Sequence, residues 1–140
     1  MRIESDFCQA LQEWWGLQIR DGYGQTETTA LIGNMPGDDI VPGAMGLPLP
    51  GVDARLIDPL TGEETVEGEI CLPLAPAHPV NLMTGYVGDD DATKRALRDG
   101  LFHTGDVAER GDDGVLTFIG RTDDIFKSSD YKVSPFEVES

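Results

Sequence analysis

Three stretches hold the side chains that could do chemistry: Asp21 to Thr29 (DGYGQTETT), Leu101 to Asp106 (LFHTGD) and Gly120 to Lys127 (GRTDDIFK). In the first, Gly22 and Gly24 flank Tyr23, and glycine lets backbone approach a ligand closely. Tyr23 could stack on a base, Thr26 could donate to a phosphate oxygen, and Glu27 could hold Mg²⁺ through oxygen. In the second, Asp106 follows a Thr-Gly turn at the start of a strand. That is a good place to grip a ribose diol, by the contact a carboxylate makes in dinucleotide folds. Each stretch also has a plainer reading: a polar turn after a strand, an ordinary turn aspartate, and a charged linker.

Other chemistry is excluded. There is no GxxxxGK[ST] phosphate cradle, and Gly22-x-Gly24 lacks a third glycine and a surrounding βαβ unit. Asp89-Asp90-Asp91 lacks the glycine and glutamate that complete an EF-hand. No Ser–His–Asp arrangement stands out, and His103 reads as structural. Cys8 and Cys71 are too far apart to make a CxxC pair, a disulfide framework or a zinc site, which fits a reducing cytosol. A formal net charge of −16 excludes a phosphate-tracking, nucleic-acid-binding surface. No apolar run reaches the ~18–20 residues of a membrane span, and the acidic start Met1-Arg2-Ile3-Glu4-Ser5-Asp6 is not a secretory signal.

The elements that must position these residues come from periodicity and turn signals. Phe7, Leu11, Trp14 and Trp15 share one face of a helical repeat, which predicts a core-facing helix ended by Gly16. A short strand is expected over Leu17 to Arg20. From Pro36 to Gly120, turn dipeptides such as Pro50-Gly51, Thr61-Gly62 and Asp113-Gly114 separate short apolar stretches. Strands are expected at Val52 to Ile57, Glu67 to Leu72, Asp106 to Glu109 and Val115 to Ile119, with one helix over Asp89 to Arg98 closed by Gly100. Together they predict a small antiparallel sheet or distorted barrel. Thr122-Asp123-Asp124 reads as a connection, and Ile125 to Lys127 and Tyr131 to Val133 as a hairpin. Ser134-Pro135-Phe136-Glu137 is a capping box that opens a helix. That helix has barely begun at Ser140, so the chain is expected to be a piece of something longer.

In order and spacing, these blocks closely resemble the adenylate-forming superfamily, which includes acyl- and aryl-CoA synthetases, adenylation domains and beetle luciferase. The resemblance rests on DGYGQTETT, LFHTGDVAERGDDGVLTFIGRTDD and FKSSDYKVSPFEVES, with the spacers PGAMGLPLPGVDARLID and GEICLP, and covers essentially the whole chain. QTET and SPFEVES look most like the acyl-CoA synthetase branch. The resemblance implies a mixed α and β fold. Residues 1–122 would be the C-terminal part of the large domain: 1–34 a helix, strand and nucleotide loop, and 35–122 the barrel-like part. Residues 123–140 would be the hinge and first hairpin of the small domain.

The implied reaction joins a carboxylic acid to ATP as acyl-AMP, then to coenzyme A as a thioester. The implied nucleotide site comprises Asp21, Gly22, Tyr23, Gly24, Gln25 and Thr26, with Asp106 and Arg121 at the ribose. Tyr23 would stack on adenine, Thr26 contact phosphate and Glu27 hold Mg²⁺. Asp123 falls at the hinge, and Lys127 and Lys132 lie where the moving domain brings cations to the nucleotide. Acetate-specific relatives carry a Trp where this chain has Gly24, which implies an acid larger than acetate. Asp130 stands where many relatives have Gly, beside the pantetheine channel. The family's phosphate loop lies upstream of this region and its adenylation lysine downstream. The resemblance therefore implies a chain that is inactive alone and partnered by the rest of its own fold. An adenylation domain that loads a carrier protein is the alternative within the family, and a non-catalytic acidic β-rich interaction module the alternative outside it.

Overall fold

The computed structural model describes residues 5–126. The second strand of the 125–133 hairpin, the Ser134 helix, Lys127, Asp130 and Lys132 lie outside the described residues.

The first helix, α1 (Ser5–Trp15), forms where periodicity places it. Gly16 ends it in the left-handed region at φ 66°, its N–H donating to the Gln12 carbonyl at 2.9 Å. Its apolar stripe does not enter the core: Phe7, Trp14 and Trp15 are 58%, 74% and 69% exposed. Periodicity fixes which face of a helix is apolar, but not what lies against it. The strand expected over Leu17 to Arg20 is absent. Arg20 instead donates to the Met35 carbonyl at 2.8 Å.

Two antiparallel sheets follow. The first runs in the order β1 (Gly22–Gln25), β2 (Thr29–Gly33), β3 (Leu47–Pro48). The second holds β4 (Arg55–Ile57), β5 (Glu67–Pro73), β6 (Leu97–Arg98), β7 (Leu101–Arg110) and β8 (Leu116–Arg121). Its order is β4-β5-β7-β6, and β8 pairs the far end of the long β7. A bridge between Gly46 and Leu116 joins the two sheets. It requires glycine, because Gly46 has φ 111° and a Cβ there would lie 2.2 Å from the Gly33 carbonyl oxygen. The core between the sheets holds Leu31, Ile32, Met45, Leu56, Ile70, Leu72, Phe102, Ala108 and Leu116. β5 is buried along both faces, from Gly68 through Leu72, with flanking strands β4 and β7.

Helix α2 spans Asp90–Ala96, capped by the Asp89 carboxylate, which accepts from the Ala92 amide at 2.9 Å. It stops before the expected Arg98, because Leu97 and Arg98 pair with β7 instead. Gly100 does not close the helix. Asp99 and Gly100, at φ 55° and 73°, form a two-residue hairpin turn between β6 and β7. Asp-Gly suits such a turn because both central residues need positive φ. The expected connection at Thr122 to Asp124 is the start of a helix, α3 (Thr122–Phe126), which also takes in the expected strand residues Ile125 and Phe126. Ile125 is 2% exposed, and burying it as α3 packs on β7 and β8 favours the helical turn. Among the described residues, no helix is long and apolar enough to cross a membrane.

Candidate functional site

The site is built around one carboxylate. Asp106, 6% exposed, lies within β7, and three donors from other elements converge on it. Oδ2 accepts from the Tyr23 hydroxyl at 2.6 Å and from Gln25 Nε2 at 2.7 Å, both on β1. Oδ1 accepts from Arg121 Nη1 at 2.8 Å, at the end of β8. These bonds fix β1 of the first sheet against β7 and β8 of the second. Gln25 Nε2 and Arg121 Nη1 also reach the Thr104 carbonyl, at 2.8 and 3.1 Å. A carboxylate offers about four lone-pair positions. With three filled here, a ribose diol would take the fourth and displace one present donor.

Charge follows the same geometry. Burial, then the bond to Asp106, pushes the Tyr23 phenol far above its ordinary range, so it remains a donor. The Arg121 guanidinium is raised further by its hydrogen bond to Asp106. Beside this node is a cleft of about 240 Å³ lined by Asp21, Gly22, Tyr23, Gly24, Gly43, Met45, Asp106 and Phe118. The lining combines the acids Asp21 and Asp106 with glycines, Met45 and the two aromatic residues Tyr23 and Phe118, which suits a flat nucleoside.

Local folding explains why the β1–β2 turn holds its shape. Thr28 is fully buried. Its Oγ1 accepts from the Gln25 amide at 3.0 Å and donates to the Thr29 carbonyl at 2.8 Å. That leaves Thr26 exposed in the turn, with Glu27 half-buried beside it. Gly24 sits at a register shift between β1 and β2, where a Cβ would lie 2.1 Å from the Thr29 carbonyl oxygen. The backbone itself therefore requires glycine at this position. A larger residue could not enter without moving β2, so pocket depth is not needed to explain Gly24.

The structure gathers Tyr23, Gln25, Asp106 and Arg121 into one contact group, with Asp21, Gly22 and Gly24 on the cleft wall. It does not bring Thr26 or Glu27 to Asp106. Glu27 Oε1 accepts from the Tyr86 hydroxyl at 2.9 Å, and its backbone carbonyl from the Met83 amide at 2.8 Å. The other carboxylate oxygen and the partial exposure suit a hard cation such as Mg²⁺. Asp123 is exposed in the first turn of α3, and Thr122 Oγ1 reaches the Gly105 carbonyl at 3.3 Å. Sequence reasoning missed Thr28, Glu69, Tyr86 and Thr104 as supports. The TGD run was a signal for Thr104. Tyr86, 59 residues from Glu27, carried none.

A family model described as AMP-binding enzyme matches residues 1–87. The chain belongs to that family. A 4-hydroxybutyrate–CoA ligase 1 from Metallosphaera sedula is 45% identical over 99% of the chain and 25% of that relative. The mitochondrial acyl-coenzyme A synthetase ACSM3 of Mus musculus is 41% identical over 94% of the chain and 24% of that relative. Among solved structures, ATP-bound MatB from Rhodopseudomonas palustris matches 97% of the chain and 27% of its own, with a TM-score of 0.81 at 34% identity. An anthranilate CoA ligase, AuaEII, solved with anthranoyl-AMP, covers 99% of the chain with a TM-score of 0.83 at 29% identity. The chain thus spans about a quarter of the length of the relatives it matches. In this family member the expected mixed α and β fold is present.

Proposed function

We propose that this chain is the nucleotide-gripping part of an ATP-dependent acid–CoA ligase, which forms acyl-AMP and then acyl-CoA. The observation that carries the reading is the convergence of Tyr23, Gln25 and Arg121 on the Asp106 carboxylate at the edge of a cleft. The carboxylate is held in place before ligand arrives, so the rearrangement left for binding is the exchange of one of its three donors for a ribose hydroxyl. Asp106 accepts from the ribose hydroxyls and Arg121 steadies that carboxylate. Tyr23, with its hydroxyl anchored, presents its ring to adenine. Thr26 contacts phosphate and Glu27 holds Mg²⁺, which neutralises phosphate charge when bound. Asp123 is the hinge position, and Lys127 and Lys132 serve the second half-reaction.

Coenzyme A as acceptor, rather than a carrier protein, is supported by the names of the relatives. An acid larger than acetate is supported by the 4-hydroxybutyrate ligase, since Gly24 has its own backbone reason. The two free cysteines fit a reducing compartment such as the cytosol. The test is to graft this chain in place of the matching quarter of the Metallosphaera sedula relative and measure acid-dependent ATP–pyrophosphate exchange. Exchange should persist, and Asp106→Asn should raise KM for ATP by about 10–100-fold, the weight of one or two charge-assisted bonds. A folded graft without exchange, or one indifferent to Asp106→Asn, would sink the reading.

A further inference from the structure

Behind Asp106, on β5, lies a second buried carboxylate that no step above uses. Glu69 is 4% exposed. Its two oxygens serve two residues of β7: Oε2 accepts from His103 Nδ1 and Oε1 from the Gly105 amide, both at 2.8 Å.

The register of the sheet shows why those bonds are needed. Cys71 pairs with His103, but Glu69 pairs with Val107, so β7 carries two more residues than β5 across the same interval. The surplus lies in Thr104, Gly105 and Asp106, the segment that projects the ribose-facing carboxylate. Residues in such a bulge lose their partners on the neighbouring strand. Side chains here replace them. Thr104 Oγ1 donates to the Ile70 carbonyl at 2.7 Å and accepts from the Asp106 amide at 3.1 Å. Glu69 takes the Gly105 amide. Gly105 itself sits at φ 77° beneath the Arg121 guanidinium, where a Cβ would lie 2.5 Å from Nη2. The bulge is thus clamped by Glu69 from one strand and Arg121 from the other.

We propose that Glu69 is a positioning residue, whose buried carboxylate holds the Thr104–Asp106 bulge and so sets where Asp106 meets the ribose. The proposal rests on the ribose reading above for its function, not for its geometry. A metal centre is the rival use of this cluster, since Glu69, Cys71 and His103 offer donor atoms within 4.8 Å of one another. His103 Nε2 argues against it, being buried without a hydrogen-bond partner. With the proton on Nδ1, shared with Glu69, only a lone pair is left unmet at Nε2. A metal on Nδ1 would shift the proton to Nε2 and bury an N–H with no acceptor.

Amide hydrogen exchange of the ¹⁵N-labelled chain tests the proposal. Glu69→Ala should speed exchange at Gly105 by about 10–100-fold, the weight of a bond to a charged acceptor. Exchange at Val107 and Ala108, in the ladder beyond the bulge, should change little. Glu69→Gln keeps one acceptor oxygen for the Gly105 amide and should restore part of its protection, the rest being lost because the NH2 facing His103 Nδ1 shifts that ring's proton to the buried Nε2. Glu69→Asp, one methylene shorter, should not, and serves as the second reading if the alanine variant fails to fold. Gly105 protection that survives both Glu69→Ala and Glu69→Asp would overturn the proposal, as would a uniform acceleration along β7. Stoichiometric Zn²⁺ uptake lost in Cys71→Ala would overturn it in favour of the metal centre. The Asp106→Asn graft tests the ribose reading separately, so either can fail without the other.

Discussion

Two acids of the site are held in opposite ways. Asp106 is nearly closed off from solvent and bound by three donors drawn from two sheets. Glu27 lies on a turn beside exposed Thr26, with one phenol on one of its oxygens. Under the proposed function, the difference suits two tasks. A ribose has a fixed shape, so the group that reads it gains from being locked in advance. A triphosphate and its cation shift as a bond breaks, so the group that follows them gains from slack. Rigidity costs little at Asp106, because the donors that lock it also join the two sheets.

The sharpest way to break this contrast is Asp106→Ala. It leaves the Tyr23 hydroxyl without an acceptor in a half-buried place, while Gln25 and Arg121 keep only the Thr104 carbonyl, so stability should fall by about 3 kcal/mol. Urea unfolding measures it, and Glu27→Ala should shift the same midpoint far less. Next comes Gly24→Ala, which pushes a methyl into the backbone of β2. An overpacking cost of about 1–3 kcal/mol is expected, again from urea unfolding, with nucleotide affinity falling alongside because Tyr23 and Gln25 move with β1.

A third test extends the locked side to pH. Burial alone would raise the Glu69 carboxyl. The hydrogen bonds from His103 and the Gly105 amide outweigh it and hold the carboxyl below the usual carboxylate range. The stability this contributes is fully present above about pH 4.3, the ordinary carboxylate value, and is lost as pH falls through the lowered one. Thermal unfolding between pH 6 and 3 should therefore be less pH-dependent in Glu69→Gln than in the wild type. The smallest effect is expected at Tyr86→Phe. Tyr86 is exposed at its surface, so stability should move by less than about 0.5 kcal/mol. The Mg²⁺ concentration needed for half-maximal exchange in the graft should move instead.

What could be read from the sequence divides along the same line. Tyr23 and Asp106 were visible as candidates from their types and turns, whereas Gln25 and Arg121 entered through the family resemblance, since locally they read as a polar turn and a charged linker. The supports were not. Nothing about Glu69 or Tyr86 in one dimension says that a carboxylate meets an amide 36 residues on, or a phenol a glutamate 59 residues back. Strands between turn dipeptides were legible, since β5 and β8 are short apolar stretches with turn signals at their ends. Asp99-Gly100 misled because glycine after a helical stretch signals a helix end as readily as a hairpin. Arg98 went to a ladder because β7 offered it one. The stripe on α1 was legible as a helix, but its burial was not.

That exposed stripe has an optical consequence. The chain contains two tryptophans, both at the end of α1, and both face solvent. Its indole emission therefore reports on one helix face and is nearly blind to the sheets. Unfolding of the core should be followed by circular dichroism, while a blue shift in indole emission would register something settling against Trp14 and Trp15.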